Sequence, residues 1–314
     1  MWKTFVRPAM IFIPFLLGTL FPAAHVLNDP PYEIVRWLLT VMVLLSCLQI
    51  ELRELRPRAQ HWRILGLNLL MGVVPYLLLC RLWPDNRDLA LAAFFVGITP
   101  TATAAPVVVA FLHGRIGFAL TGFTIDNVFV SLSLLGLLPW VTGNFNLEFA
   151  GRVGMALLQV VVLPFAVAAV CRRLWPGVRE LPKKPRAKTF TFLLWSFMLF
   201  VLAAIARQYF LDHPEMPVGN VAFIGVVSLL LCAVNFWLGR RCAPYKYRRE
   251  SSQLLGQKNT SLSMYLALSF AGPLIAMGPI FYVLWHNSWN AWQMYCYDRR
   301  QFLRRRASSD KTNG

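Results

Sequence analysis

Long apolar runs dominate the chain and alternate with short segments rich in charge, proline or asparagine. Ten of these runs approach the length of about 20 residues that a transmembrane helix requires. They lie near residues 6–24, 34–50, 64–83, 89–112, 117–139, 153–171, 189–206, 221–239, 254–271 and 273–292. Most are apolar around the whole helix, which is typical of helices that contact lipid. The pattern predicts an all-α integral membrane protein with ten spans.

Composition supports this prediction. The 314-residue chain is 57% hydrophobic and only 14% charged, whereas soluble domains contain about 25% charged residues. The six cysteines are scattered without a C-x-x-C pair, so neither a disulfide framework nor a zinc site is predicted. Because no Walker loop, zinc motif or nucleophile elbow is present, we expect no catalytic residue, metal or cofactor, and no enzyme activity.

The distribution of cations predicts the orientation. The net charge is +17, and most of the cations fall on one side of the predicted spans. That side holds Lys3, Arg7, the 51–63 loop, Arg115, the 172–188 loop, the 240–253 loop and the tail from Arg299 to Lys311. The opposite side holds Arg81, Arg87, Arg152 and Arg207. The positive-inside rule then places both termini in the cytoplasm and the protein in the cell (inner) membrane. The positive-inside rule therefore explains the excess of basic residues, and no nucleic-acid partner is expected.

A cleaved signal peptide is an alternative for the first run, because Lys3 and Arg7 precede an apolar stretch that ends in Pro22-Ala23-Ala24. Cleavage would leave nine spans and an external mature N-terminus.

Ten spans divide into two sets of five, residues 1–152 and 153–297, followed by a basic tail at 298–314. Since five is odd, the second set enters the membrane inverted, as in many secondary transporters. The fourth span is interrupted by a polar, proline-containing stretch at 97–106, and the ninth by one at 255–261. Irregular backbone at membrane depth is tolerated only against protein or a water-filled cavity. The sequence therefore predicts a transport site where helices 4 and 9 cross at their breaks. The alternative is two kinked helices.

Two charged residues lie well inside predicted spans, Asp126 and Lys258. Such residues normally face a cavity or a partner, so we expect them to approach each other at the centre of the protein. Lys258 would then hold a positive charge where a related transporter binds a cation, an arrangement that suits a proton-linked carrier. The alternative is a static salt bridge that positions the helices.

Polar and helix-breaking residues around the two interruptions form the rest of the predicted substrate and coupling site. They are Pro100, Thr101, Thr103, Pro106, Gly256, Gln257, Asn259 and Thr260, with Thr124, His286 and Asn287 as further candidates. His286 is the only histidine placed within a predicted span. Its side chain would either take part in proton transfer or form a structural hydrogen bond. Helix N-termini near the breaks favour an anionic group, so the predicted substrate is a small organic anion.

Three segments resemble the bile acid:sodium symporter family. Pro100-Thr101-Ala102-Thr103-Ala104-Ala105-Pro106, followed by Gly114, is similar to the family's P-G-G-T-A-S-N stretch and its later glycine. Gly256-Gln257-Lys258-Asn259-Thr260 is similar to its E-x-G-M-Q-N region. Val283-Leu284-Trp285-His286-Asn287 resembles its W-H-N segment.

The resemblance implies a panel domain of spans 1, 2, 6 and 7 and a core domain of spans 3–5 and 8–10. Substrate would lie between the two domains, and their relative movement would give alternating access with sodium symport.

The residues at the family's sodium-binding positions differ from that pattern. Leu254 stands at the position of its glutamate, Lys258 at a glutamine, and Ala105-Pro106 at a Ser-Asn pair. A third-span glutamine falls near Leu70. Because a hard cation requires several oxygen ligands and an ammonium repels it, these residues argue against sodium coupling.

The favoured function is therefore a secondary carrier of a small organic anion or amphipath, proton-linked or uncoupled. The alternatives are a sodium symporter with displaced ligands, such as backbone carbonyls and Thr124, and a non-transporting membrane receptor with this fold. An arsenite-type efflux carrier would require a cysteine near the fourth-span break, and Cys80 lies in the third span instead.

Overall fold

The computed structural model describes residues 13–28, 33–48, 55–214 and 218–312. Nearly all of these residues are helical. The helices are α1 (13–20), α2 (Glu33–Cys47), α3 (Ala59–Leu82), α4 (Arg87–Ile98), α5 (Ala104–Phe111), α6 (Ile116–Thr142), α7 (Leu147–Leu174), α8 (Pro185–Asp212), α9 (Val218–Arg241), α10 (Arg248–Gly256), α11 (Thr260–Phe270) and α12 (Pro273–Thr312). Within the described ranges, the only extended pairing is a single antiparallel bridge between Thr101 and Lys258.

Three of the cations used to predict the orientation, Lys3, Arg7 and Arg53, lie outside the described residues. The first predicted span, 6–24, is described from residue 13 onward.

Five described helices, α3, α6, α7, α8 and α9, are long and apolar enough to cross a membrane. Their outer surfaces expose large apolar side chains, including Leu78, Leu132 and Leu230. Large apolar side chains exposed along helices of this length and hydropathy are typical of contact with lipid rather than water. The chain is thus an all-α membrane protein.

Local sequence sets several helix ends. Asn86 Oδ1 accepts the N–H of Leu89 at 3.1 Å at the start of α4, and Asn146 Oδ1 accepts that of Phe149 at 2.6 Å at the start of α7. These amides supply the acceptors that a helix N-terminus lacks. At the other end of α6, Gly143 adopts φ 72°, a left-handed conformation that glycine adopts without strain.

Three boundaries differ from the prediction. The segment predicted as a loop at 240–253 is helical from Arg248 onward, because α10 extends a helical turn beyond the apolar run. Helix α12 continues to Thr312, so the backbone of the basic tail is continuous with the last predicted span. His61, predicted to precede the third span, lies buried in the first turn of α3, a helix long enough to span. A histidine other than His286 therefore lies within such a helix.

Helix α4 lies at the centre of the packing. Its residues Leu89 to Ile98 are all buried, and it contacts α3, α9 and α12. Helix α10 packs against α9 and α5. The two interruptions, 99–103 between α4 and α5 and 257–259 between α10 and α11, therefore meet inside the protein.

Candidate functional site

The two interruptions pair with each other through their backbones. The N–H of Ala102 donates to Gln257 O at 2.9 Å, and the N–H of Asn259 donates to Pro100 O at 2.7 Å. Thr101 and Lys258 are the bridge partners between these two bonds. The exchange satisfies polar groups that helix ends leave unpaired, so each break provides the hydrogen-bond partners that the other requires.

The Lys258 side chain is 1% exposed and extends to the end of α4. Its Nζ donates to Gly97 O at 2.9 Å and to Asn68 Oδ1. Gly97 O is in the last turn of α4, where carbonyls lack helical partners and the helix dipole favours a cation. The ammonium of Lys258 therefore caps the C-terminus of α4.

The Asp126 carboxylate, from α6, accepts hydrogen bonds from the first interruption. Its Oδ2 accepts the N–H of Thr101 at 2.7 Å and lies 2.8 Å from Thr101 Oγ1. Asn68 Nδ2 donates to both carboxylate oxygens, at 2.9 and 3.0 Å. Asp126 is 2% exposed, and buried carboxylates are stable only with such donors.

Asn68 connects the two charged residues. Both Asp126 and Lys258 lie in the described part of the chain, and they form no direct ion pair within 4.0 Å. Instead the Asn68 amide presents its oxygen to the ammonium and its nitrogen to the carboxylate. Only this amide orientation satisfies both charges, because the flipped amide would direct its NH2 at the ammonium and its oxygen at the carboxylate.

Thr101 connects the remaining groups at the crossing. Its Oγ1 also donates to Leu254 O at 2.6 Å, near the end of α10, while its own carbonyl accepts from Asn127 Nδ2 at 2.9 Å. At the end of α4, Phe95 O accepts from the hydroxyls of Thr99 and Ser263. The end carbonyls of both broken helices are thus bonded by side chains from other segments.

The structure places the predicted site residues in two groups. Pro100, Thr101, Asp126, Lys258, and the backbones of Gln257 and Asn259 form the crossing itself. Gly256 ends α10 beside it, and Thr260 starts α11 with its N–H donating to Lys258 O at 2.8 Å.

The other predicted residues point elsewhere. Thr103 is exposed, and Thr124 and Asn287 donate to carbonyls of their own helices, Leu120 O and Val283 O. The Gln257 side chain donates to Gln253 rather than to the crossing. Pro106 lies in the first turn of α5, where its missing N–H removes no helical hydrogen bond.

His286 is buried on α12 beside Tyr282, with ring centroids 5.5 Å apart. Its Nδ1 is buried and has no hydrogen-bond partner among the described residues. This position is separate from the Lys258 hydrogen bonds, which run to Asn68 and Gly97.

The positions that the family resemblance assigns to sodium ligands do not fit a sodium ion. The Lys258 ammonium already bonds the nearby oxygens of Asn68 and Gly97. Leu254 is 1% exposed and packs its methyl groups against Gly122 on α6. Leu70 is 55% exposed on the outer face of α3. An aliphatic side chain offers no oxygen ligand.

Sequence reasoning missed Asn68 and Asn127. Asn68 stands in a run of leucines in the third span, and a polar side chain there is a signal that it faces protein rather than lipid. Asn127 adjoins Asp126 and bonds the same threonine. Leu70, the position that the resemblance assigns to a third-span glutamine, is exposed on α3. Asn68, two residues earlier on the same helix, is buried.

Comparisons with known proteins leave the family open. No protein-family model matches the chain, and no curated protein is significantly similar to it.

Proposed function

We propose that this protein is a secondary transporter that carries a small organic anion or amphipath across the membrane by alternating access. The observation that supports this proposal is the reciprocal pairing of two interrupted helices around the buried ammonium of Lys258. Interrupted helices that meet inside a membrane protein form the substrate and ion sites of many secondary transporters.

The order of the described helices supports two repeats of five spans. In the first half, α1, α2 and α3 precede the interrupted pair α4 and α5, and α6 follows. In the second half, α7, α8 and α9 precede the interrupted pair α10 and α11, and α12 follows. An odd number of spans per repeat gives inverted topology. With the cations of the 172–188 and 240–253 loops on the inside, both termini are cytoplasmic in the cell membrane.

The position of Lys258 supports transport that is not coupled to sodium. Its ammonium bonds Asn68 Oδ1 and Gly97 O, oxygens of the type that coordinate a hard cation. A fixed internal charge in this place makes transport uncoupled or proton-linked. The same positive charge, together with the N-termini of α5 and α11, favours an anionic substrate group.

A non-transporting receptor is the second candidate. Its support is that the polar groups at the crossing already bond one another, as expected of a purely structural network. Sodium symport with displaced ligands has no comparable support, because the Thr124 hydroxyl bonds Leu120 O of its own helix and the backbone carbonyl of Gly97 already accepts from the Lys258 ammonium.

The first experiment measures the thermal stability of the purified protein in sodium, in potassium and across pH. A ligand that binds only the folded state raises the unfolding temperature. We expect sodium and potassium to act alike, and the pH dependence to change in Lys258→Ala but not in the control Thr103→Ala, whose side chain is exposed. Stabilisation by sodium alone would restore sodium symport.

The second experiment separates a carrier from a receptor. Proteoliposomes containing the wild-type protein are tested for uptake of radiolabelled cholate, taurocholate and short-chain carboxylates, with and without a proton gradient. Saturable uptake into liposomes that contain the protein, absent from protein-free liposomes, supports the carrier. Saturable binding of these probes to the purified protein without accumulation in the liposomes supports the receptor.

A further inference from the structure

A cavity of about 270 Å³ opens where three basic segments meet. It lies between the turn after α5, the end of α9, and the segment that leads into α10. Five cations line it, Arg115, Arg240, Lys246, Arg248 and Arg249, together with the carboxylate of Glu250. We call this cavity the basic pocket. The fold thus brings Arg115 beside four cations of residues 240–249 and concentrates positive charge in one concave site.

Glu250 is already engaged and does not pair with the cations. It is 3% exposed, and its Oε1 accepts the N–H of Arg115 at 2.7 Å, at the start of α6. None of the five cations lies within 4.0 Å of a carboxylate oxygen among the residues that the structure describes. The basic pocket therefore keeps a large excess of positive charge.

Aromatic rings contact four of the five cations without neutralising them. Lys246 Nζ and Arg115 Cζ lie 5.1 and 5.3 Å from the centroid of the Tyr247 ring. Arg248 Cζ lies 5.6 Å from that of Tyr245, and its Nε is buried with no hydrogen-bond partner in the described structure. These ring contacts leave the positive charge of the pocket uncancelled, so an anionic oxygen ligand would complement it.

A second cavity, of about 350 Å³, adjoins the basic pocket and shares Arg240 and Arg249 with it. Its other walls are largely apolar and aromatic, and include Leu112, Trp289 and Trp292. Trp292 is 57% exposed. Tryptophan is enriched where a membrane protein meets the boundary between headgroups and acyl chains. The two cavities together are cationic at one end and apolar at the other.

We propose that the basic pocket binds the phosphate of an anionic phospholipid, with the start of an acyl chain in the adjoining aromatic cavity. The paired cavities match an amphipathic anion better than a soluble one, since inorganic phosphate would leave the aromatic part unused. Basic pockets on the inner face of membrane proteins commonly bind lipid headgroups. The inference rests on the proposed orientation, with the basic segments at the inner face of the membrane, and does not depend on transport.

The test measures retention of phosphatidylglycerol relative to phosphatidylcholine by the full-length protein, using fluorescent lipids in nanodiscs. The pocket variant carries Arg240→Gln, Lys246→Gln and Arg248→Gln. A matched variant removes three exposed cations from another basic segment, Arg173→Gln, Lys184→Gln and Arg186→Gln. We expect the pocket variant to lose about a hundredfold in preference for phosphatidylglycerol, at about fivefold per cation, and the matched variant to lose much less.

Equal losses in the two triple variants would show diffuse surface attraction and overturn the proposal. Binding of inorganic phosphate or glycerol phosphate that displaces no lipid would also overturn it, because the site would then accept soluble anions. An unchanged unfolding temperature in nanodiscs of phosphatidylcholine alone verifies that the variants fold. If the triple variant does not fold, Lys246→Glu serves instead, because this side chain is exposed. If Lys246→Glu kept the preference for phosphatidylglycerol, the proposed phospholipid site would be wrong.

Discussion

The two interruptions satisfy their backbones in the same way but contribute different chemistry. The first, at 99–103, contains no charged side chain and receives the carboxylate of Asp126 from α6. The second, at 257–259, contains its own cation, Lys258. Each caps the broken helix of the other, since Lys258 Nζ bonds Gly97 O and Thr101 Oγ1 bonds Leu254 O.

This difference indicates that the two interruptions share a mode of backbone pairing but not a role. One cap is a hydroxyl, which is neutral and short, whereas the other is an ammonium at the end of a long side chain. A charged cap depends on a compensating charge in the interior, and here that charge belongs to the opposite half. The second interruption is therefore energetically dependent on the first half, through Asn68 and Asp126.

The largest expected effect comes from removing the charge at the second interruption. Lys258→Met leaves the buried carboxylate of Asp126 uncompensated, so we expect a loss of about 3–5 kcal/mol in the free energy of unfolding. Chemical unfolding in mixed micelles measures this loss. The double variant Lys258→Met with Asp126→Asn removes both charges and should recover most of it. Additive losses in the double variant would show that the two charges are not coupled through Asn68.

The next effect tests how closely each broken helix approaches its neighbour. A Cβ at Gly97 would lie 1.9 Å from Met71 O, in the backbone of α3, whereas one at Gly256 would lie 2.3 Å from the Phe236 ring. A backbone carbonyl yields less than a side chain, so Gly97→Ala should cost about 1–3 kcal/mol of unfolding free energy and Gly256→Ala less.

Gly136→Ala is the control for both glycine variants. Gly136 lies on α6 with nothing within 4 Å of the added Cβ, and the change should stabilise the helix by about 0.5–1 kcal/mol. The same unfolding measurement applies to all three. Equal losses at Gly97 and Gly256 would show that the two contacts are equally rigid.

The smallest effect concerns the hydroxyl cap of the first interruption. Thr101→Val removes the bond to Leu254 O and the hydroxyl contact with Asp126 Oδ2, but it keeps the backbone N–H that donates to Asp126. We therefore expect a loss of about 1–1.5 kcal/mol. Thr103→Val, in the same segment but exposed, should change stability by less than about 0.5 kcal/mol. A cost at Thr101 as large as that of Lys258→Met would mean that the hydroxyl cap and the ammonium cap are equivalent.

Much of the helical architecture follows from local sequence. Apolar runs of span length can bury their backbone polar groups only as helices. Pro100 cannot donate to the helix that precedes it, and α4 ends two residues earlier, at Ile98. For these reasons the all-α membrane class and the places where the two helices break were predictable without tertiary information.

The boundaries that were wrong depend on packing. The turn from Arg248 to Glu250 is too polar for an apolar run, but tertiary contacts bury Glu250 against the start of α6. His61 is likewise polar, and it is buried because its Nε2 lies 3.1 Å from Phe118 O. Neither partner is local in sequence, so hydropathy alone placed both residues outside the helices.

The sequence by itself determined that this chain forms apolar helices, that two of them break, and that one carboxylate and one lysine lie within the apolar runs. Only the tertiary structure decided that Asn68 lies between Asp126 and Lys258, and that Arg115 joins four cations of residues 240–249 in the basic pocket. The physical reason is range. Helix formation depends on residues a few positions apart, whereas the Asn68–Lys258 bond joins positions that only the crossing of α3, α4 and α10 brings together.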